Sequence, residues 1–161
     1  MKPNSFKADH KLMQALDKRS QPVPCSEGHI LFNQGDGPRG IYILRSGEAS
    51  LIMQSPSGAI VFSLRAPAGS LLGLPAVIDN EPYSLSAMIR KDSDVRFVSR
   101  DDFEELIQAE PSLYPSLLQI LAAELRTARL AFSEIQSQVG ECTTESRLPA
   151  SDTYSEMVSA A

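Results

Sequence analysis

Two histidines, two cysteines and a scatter of serines are the side chains in this 161-residue chain best suited to metal or nucleophilic chemistry. A β-roll metal site needs several imidazoles and a carboxylate converging on one point. His10 and His29 stand in different expected elements without that spacing, so no metal site is expected. Cys25 and Cys142 form no Cys-x-x-Cys pair, are too few for an iron–sulfur cluster, and read as two unpaired thiols. No Gly-x-Ser-x-Gly stretch poises a serine as a nucleophile. Catalysis, a metal and a resident cofactor are therefore not expected.

A second group of residues suits binding better than catalysis. Tyr83, Ser84 and Ser86 make a polar, aromatic strand edge able to hydrogen-bond a small molecule; equally, Tyr83 could pack on the core. Arg90 follows that edge and Arg129 lies on a downstream helix, both reading first as solvated surface arginines. Fifteen basic residues are scattered against twenty acidic ones, for a net charge of −5 and a pI near 5.0. Nucleic-acid capture rests on clustered Lys and Arg, so direct DNA or RNA contact is not expected. No stretch approaches the roughly 18 apolar residues of a membrane span, and Met1 to Arg19 has no signal-peptide apolar region. A cytoplasmic protein is expected.

The elements that must position these residues follow from punctuation. Asn4 or Ser5 can cap a first helix carrying Phe6, Leu12, Met13 and Leu16, which the Ser20-Gln21-Pro22 segment ends. Glycines at 35, 47, 58 and 69 then recur every eleven or twelve residues between segments rich in Ile, Val, Leu, Phe and Tyr. That rhythm predicts strands over His29 to Asn33, Ile41 to Arg45, Glu48 to Gln54, Ile60 to Ala66, Ser70 to Leu72, Tyr83 to Ile89 and Asp94 to Ser99. Gly35 and Gly47 fall where turns call for positive φ, and Ser57-Gly58 closes a hairpin.

After Ser99 the period becomes helical. Ser99 and Asp102 are spaced as a capping box, with Phe103, Leu106 and Ile107 on one face. A long helix follows Pro111 or Pro115, its apolar residues Leu118, Leu121, Leu125, Ala128, Phe132, Ile135 and Val139 alternating by three and four. Burying the larger of these contributes about 1.5–3 kcal/mol each, so the stripe predicts a homodimer; packing on its own domain is the other reading. The segment 140–161, rich in Ser, Thr, Glu and Ala, is expected to be disordered.

The order of helix, roll, short helix and long heptad helix is accompanied by three motifs: Phe32-Asn33-Gln34-Gly35-Asp36, Gly40-Ile41-Tyr42-Ile43-Leu44-Arg45-Ser46-Gly47-Glu48 and Gly69-Ser70-Leu71-Leu72-Gly73. In combination these resemble the sensor domain of the Crp/Fnr superfamily over residues 24 to 135, without its DNA-binding helix-turn-helix. The resemblance implies an α+β, mainly β fold: an antiparallel β-roll, or double-stranded jelly roll, with a short N-terminal helix and a long C-terminal dimerisation helix. It divides the chain into a lead-in (1–23), a cyclic-nucleotide-binding-like roll with a short helix (24–110), a long helix (111–139) and a tail (140–161).

The resemblance also implies a ligand site at Leu72, Gly73, Leu74, Tyr83 and Ser84, with Arg129 as a replacement cation from the helix. In cyclic-nucleotide-binding members a short helix offers backbone amides to the cyclic phosphate and two charged side chains complete the site. Leu74 stands where the family places a glutamate, Tyr83 where it places the phosphate-clamping arginine, and Pro75 removes a backbone donor. Ala128 and Arg129 stand where the catabolite activator reads its purine. A charge-assisted hydrogen bond contributes about 1.5–3 kcal/mol, so losing the arginine alone weakens phosphate binding by roughly ten- to over a hundredfold. Some members hold haem, but no motif here supports it. The expected function is a regulatory sensor degenerate for cyclic AMP, signalling through its dimer; the alternative is a ligand-free dimerising scaffold.

Overall fold

The computed structural model describes residues 7–144, with side chains up to residue 137. The chain forms two compact units, Met1–Ala128 and Arg129–Ala161. The first unit contains α1 (His10–Asp17), eight strands, α2 (Leu74–Asp79), α3 (Arg100–Ala109), a 3-10 turn (Pro111–Leu113) and the start of α4 (Tyr114–Thr144). The described part of the second unit is the remainder of α4. None of the described helices is long and apolar enough to cross a membrane.

The strands are β1 (Gln21–Val23), β2 (Ile30–Phe32), β3 (Gly40–Leu44), β4 (Glu48–Gln54), β5 (Ile60–Pro67), β6 (Ser70–Leu72), β7 (Ser86–Ile89) and β8 (Val95–Ser99). They form two antiparallel sheets, ordered β1-β8-β3-β6 and β2-β7-β4-β5. This is the expected roll. The turn glycines Gly35 and Gly47 have φ of +90° and +87°, conformations that cost glycine no Cβ clash.

Residue alternation along β3 explains the layering. Ile41 and Ile43 face one core cluster, where α1, α2, α3 and the start of α4 cover the first sheet. Leu44 and the partly buried Tyr42 face the other, between the two sheets, with Leu72, Ala87, Ile89 and Val95. A strand buried on both faces must be apolar throughout, which is why Ile41-Tyr42-Ile43-Leu44 shows no polar alternation.

Several boundaries differ from expectation for identifiable reasons. Asp9, whose carboxylate accepts from the Leu12 amide at 2.8 Å, caps α1 in place of Asn4 or Ser5. Lys7 pairs with Ser70 in an extended bridge, so the helix begins only after it; Asn4, Ser5 and Phe6 lie outside the described residues. The additional strand β1 contains Pro22 and pairs with β8 at a sheet edge, where a missing amide is tolerated. β7 starts at Ser86 because Tyr83 is tied to the β2–β3 loop, its amide donating to Asp36 O at 3.0 Å and its carbonyl accepting from Gly35 N at 2.8 Å.

Ser99 caps α3 as expected, accepting from the Asp102 amide at 3.1 Å. α4 continues to Thr144, five residues into the segment expected as tail; 145–161 lie outside the described residues. In the first unit, α4 turns Leu117 and Ile120 into the helical core, a face offset from the heptad stripe. Of the stripe itself, Leu121 is partly buried against that core and Ile135 is partly exposed. Leu118, Leu125 and Phe132 are 64%, 55% and 61% exposed, and Ala128 is also exposed.

Candidate functional site

The β6–α2 junction and the segment before β7 enclose a cavity of about 70 Å³. Leu71, Leu72 and Gly73 line it from β6 and its end, Pro75 and Ala76 from α2, and Phe32 and Leu51 from the second sheet. Tyr83, Ser84 and Leu85 close one side, and Glu124 enters from α4. No lysine or arginine among the described residues lines it. Its walls are otherwise largely apolar.

Tyr83 sets the shape of this space. The side chain is 3% exposed, and its ring stacks on Phe32 at a centroid distance of 4.1 Å and 21° between planes. Its hydroxyl donates to the Gly40 carbonyl oxygen at 2.6 Å and accepts from the Gly40 amide at 3.2 Å. Burial pushes the phenol's pKa up, partly offset by the Gly40 and Arg39 backbone contacts, so it is a neutral donor at physiological pH. Two glycines beside Tyr83, Gly40 and Gly73, have no room for a side chain. A Cβ on Gly40 would lie 2.2 Å from the Val98 carbonyl oxygen, and one on Gly73 2.7 Å from Tyr83 Cε1.

Gly73, at φ +84°, precedes α2 without a side-chain cap, and Pro75 in the first turn has no amide to donate. Glu124 is the one carboxyl in the cavity lining. Desolvation pushes its pKa up to about 8, so it carries its proton at neutral pH. The set on offer is a phenol already spent on Gly40, a serine hydroxyl and a neutral acid. It offers an anionic phosphate no charge-assisted donor.

Of the residues singled out from the sequence, Leu72, Gly73, Tyr83 and Ser84 come together at this cavity. Leu74 does not line it: fully buried, it packs with Leu12, Val77 and Phe103 in the helical core. Arg129 belongs to the second unit and is exposed on α4. Arg90 is exposed beyond β7, its amide bonded to Glu48 O. Cys25 donates to Ser93 O at 3.6 Å and forms no disulfide; the side chain of Cys142 lies outside those described. His10 and His29 are both exposed, and among the described residues no three His, Cys, Asp or Glu side chains are grouped to hold a metal.

Sequence reasoning missed Glu124, Phe32 and Leu51 as cavity residues. Glu124 had a readable signal: it falls four residues after Ile120, on the α4 face that begins with Leu117 and Ile120. An acid there must be desolvated, paired or functional.

The cyclic nucleotide-binding domain family matches residues 22–110, the roll together with α2 and α3. The chain belongs to that family. The CRP-like cAMP-activated global transcriptional regulator of Mycobacterium tuberculosis is 30% identical over 135 residues, covering 79% of this chain and 59% of that protein. The transcriptional activator protein Anr of Pseudomonas protegens is 31% identical over 117 residues, covering 71% and 47%. The catabolite activator protein of Thermus thermophilus has the same fold, with a TM-score of 0.67 and 27% identity over 80% of this chain and 60% of that one. The chain thus spans about half to three-fifths of the length of these relatives. It is a regulatory domain of the cyclic nucleotide-binding type, homologous to Crp/Fnr transcription regulators; by name the Mycobacterium relative is a transcriptional regulator and the Pseudomonas relative a transcriptional activator.

Proposed function

We propose that this domain is a regulatory sensor whose cyclic nucleotide site has lost its phosphate chemistry, acting as a cytoplasmic homodimer and not as an enzyme. The observation that carries the reading is the cavity at the β6–α2 junction, with Tyr83 locked onto Gly40 and no cation in its lining. Ligand pockets for small organic molecules run to about 300–1,000 Å³, well above this space. A cyclic nucleotide would have to displace Tyr83 and break both of its hydrogen bonds, with no guanidinium gained in return.

Dimerisation rests on the exposed stripe of Leu118, Leu125 and Phe132, with Ala128 allowing close approach and Leu121 and Ile135 at its margin. Signalling then requires that a ligand bind one helix arrangement better than another. Any DNA contact comes through another domain or partner, given the acidic charge and dispersed cations. The second reading, a ligand-free dimerising scaffold, is favoured by the small size of the cavity. The domain limits that accompany the proposal are the roll at 24–110 and the long helix from 111.

Thermal unfolding with cyclic AMP and cyclic GMP tests this. A ligand at about 100 times its dissociation constant adds roughly 2.7 kcal/mol. Neither nucleotide is expected to raise the midpoint; a clear rise with either overturns the loss of the phosphate site.

A further inference from the structure

The Phe32–Tyr83 stack is a wall shared by two spaces, for the same two rings line the inner cavity and an outer cleft of about 470 Å³. The cleft lies against the β2–β3 loop and is within the size range of small-molecule sites. Phe32, Tyr42 and Pro38 supply the apolar part of its lining, and Asp36, Arg39 and the Tyr83 ring complete it. The Arg39 guanidinium has no carboxylate or hydrogen-bond acceptor among the described residues, whereas Arg19, Arg45, Arg65 and Arg100 each have one.

We propose that this outer cleft binds a small organic monoanion, a carboxylate on an aromatic body, with Arg39 and the Tyr42 hydroxyl holding the carboxylate and the rings of Phe32 and Tyr42 holding the body. The proposal rests on the reading above, that this domain senses something other than a cyclic phosphate, and it names the ligand class.

Four features select that class. A guanidinium without a partner matches a carboxylate in a two-point geometry. Asp36 shares the lining, so a dianion such as a phosphate monoester meets added repulsion; its carboxylate already accepts from the Asn33 amide at 3.0 Å. Tyr42 has Tyr83, Arg39 and Asp36 as electrostatic neighbours and is kept protonated by burial, so it remains a donor. Phe32 and Tyr42, tilted at 35° with centroids 5.6 Å apart, both line the cleft and make that part of its wall aromatic.

The cleft also has a path to the rest of the domain. Tyr83 forms its wall, holds Gly40 through its hydroxyl and presses on Gly73, the residue that precedes α2. A body resting on Tyr83 is one ring away from the β6–α2 junction.

The test is calorimetric titration of the full chain with benzoate and with benzamide, its neutral isostere, in the natural protein, Arg39→Gln and Tyr42→Phe. Arg39 is exposed, so its variant should keep the natural melting temperature. Benzoate is expected to saturate, and benzamide and the Arg39→Gln protein with benzoate are each expected to bind roughly ten- to a hundredfold more weakly. Tyr42→Phe should weaken benzoate by a smaller factor. No saturable benzoate binding, equal binding of the two probes, or benzoate binding indifferent to Arg39→Gln overturns the site. A parallel titration with cyclic AMP separates the two failures: tight nucleotide binding overturns the reading on which the cleft rests, whereas benzoate failing alone overturns only the cleft.

Discussion

The Tyr83 hydroxyl brackets Gly40, donating to its carbonyl oxygen at 2.6 Å and accepting from its amide at 3.2 Å. Gly40 is the first residue of β3, and Tyr83 comes 43 positions later from the segment before β7. One phenol thus ties the start of β3 to the segment before β7, beside the cavity that Tyr83 lines.

Tyr83→Phe keeps the stack on Phe32 and removes the hydroxyl, leaving buried Gly40 groups short of a partner. A loss of about 1–3 kcal/mol is expected, read from urea unfolding as a lower midpoint with an unchanged slope. A variant as stable as the natural protein would mean that water or the sheet replaces the phenol.

Gly40→Ala should cost more, about 3 kcal/mol or beyond. The new Cβ would meet the Val98 carbonyl oxygen at 2.2 Å, and that atom belongs to β8, paired with β3, so it cannot swing aside as a side chain would. Loss of soluble folded protein or a large drop in melting temperature is the expected result, and a normal melting temperature would contradict the packing at this corner.

The roll was legible in the sequence where turn chemistry is strong, and less so where pairing is irregular. β4 at Glu48–Gln54 and β6 at Ser70–Leu72 match expectation at both ends, each following a glycine at positive φ, Gly47 and Gly69. β1 was not, because Pro22 argues against a strand unless its edge position is known. The position of Tyr83 at the site was readable, but not that its ring turns inward, a choice made by tertiary contacts with Phe32 and Gly40. Leu74, expected at the site, differs for another reason: helical phase in α2 sends it to the core while Pro75 and Ala76 face the cavity.

Glu124 makes a prediction about pH. Its folded pKa is raised to about 8 from an ordinary value of 4.5. The unfolded chain therefore releases this proton first, and the folded state holds more protons between those values. Stability is expected to fall as pH rises from about 5 to about 8, with a slope of at most about 1.4 kcal/mol per pH unit from this group. Glu124→Gln should flatten that slope, and an unchanged profile in urea unfolding would place the carboxyl in water.

For the dimer, Leu118→Asp combined with Leu125→Asp is the informative variant, since both side chains are exposed within the first unit, whereas Leu121 also packs on its own core. Light scattering should report half the natural mass with the circular dichroism spectrum retained. An unchanged mass would refute pairing through this stripe.

On the proposed reading, the inner cavity, with Tyr83 turned onto Gly40 and no cation beside Glu124 in its lining, does not hold a cyclic phosphate. Calorimetric titration of the full chain with cyclic AMP tests it most directly. No binding heat is expected, or at most a dissociation constant near the millimolar range, equivalent to about −4 kcal/mol. A micromolar constant, about −8 kcal/mol, would mean that a charged group reaches the phosphate after all, and would contradict it.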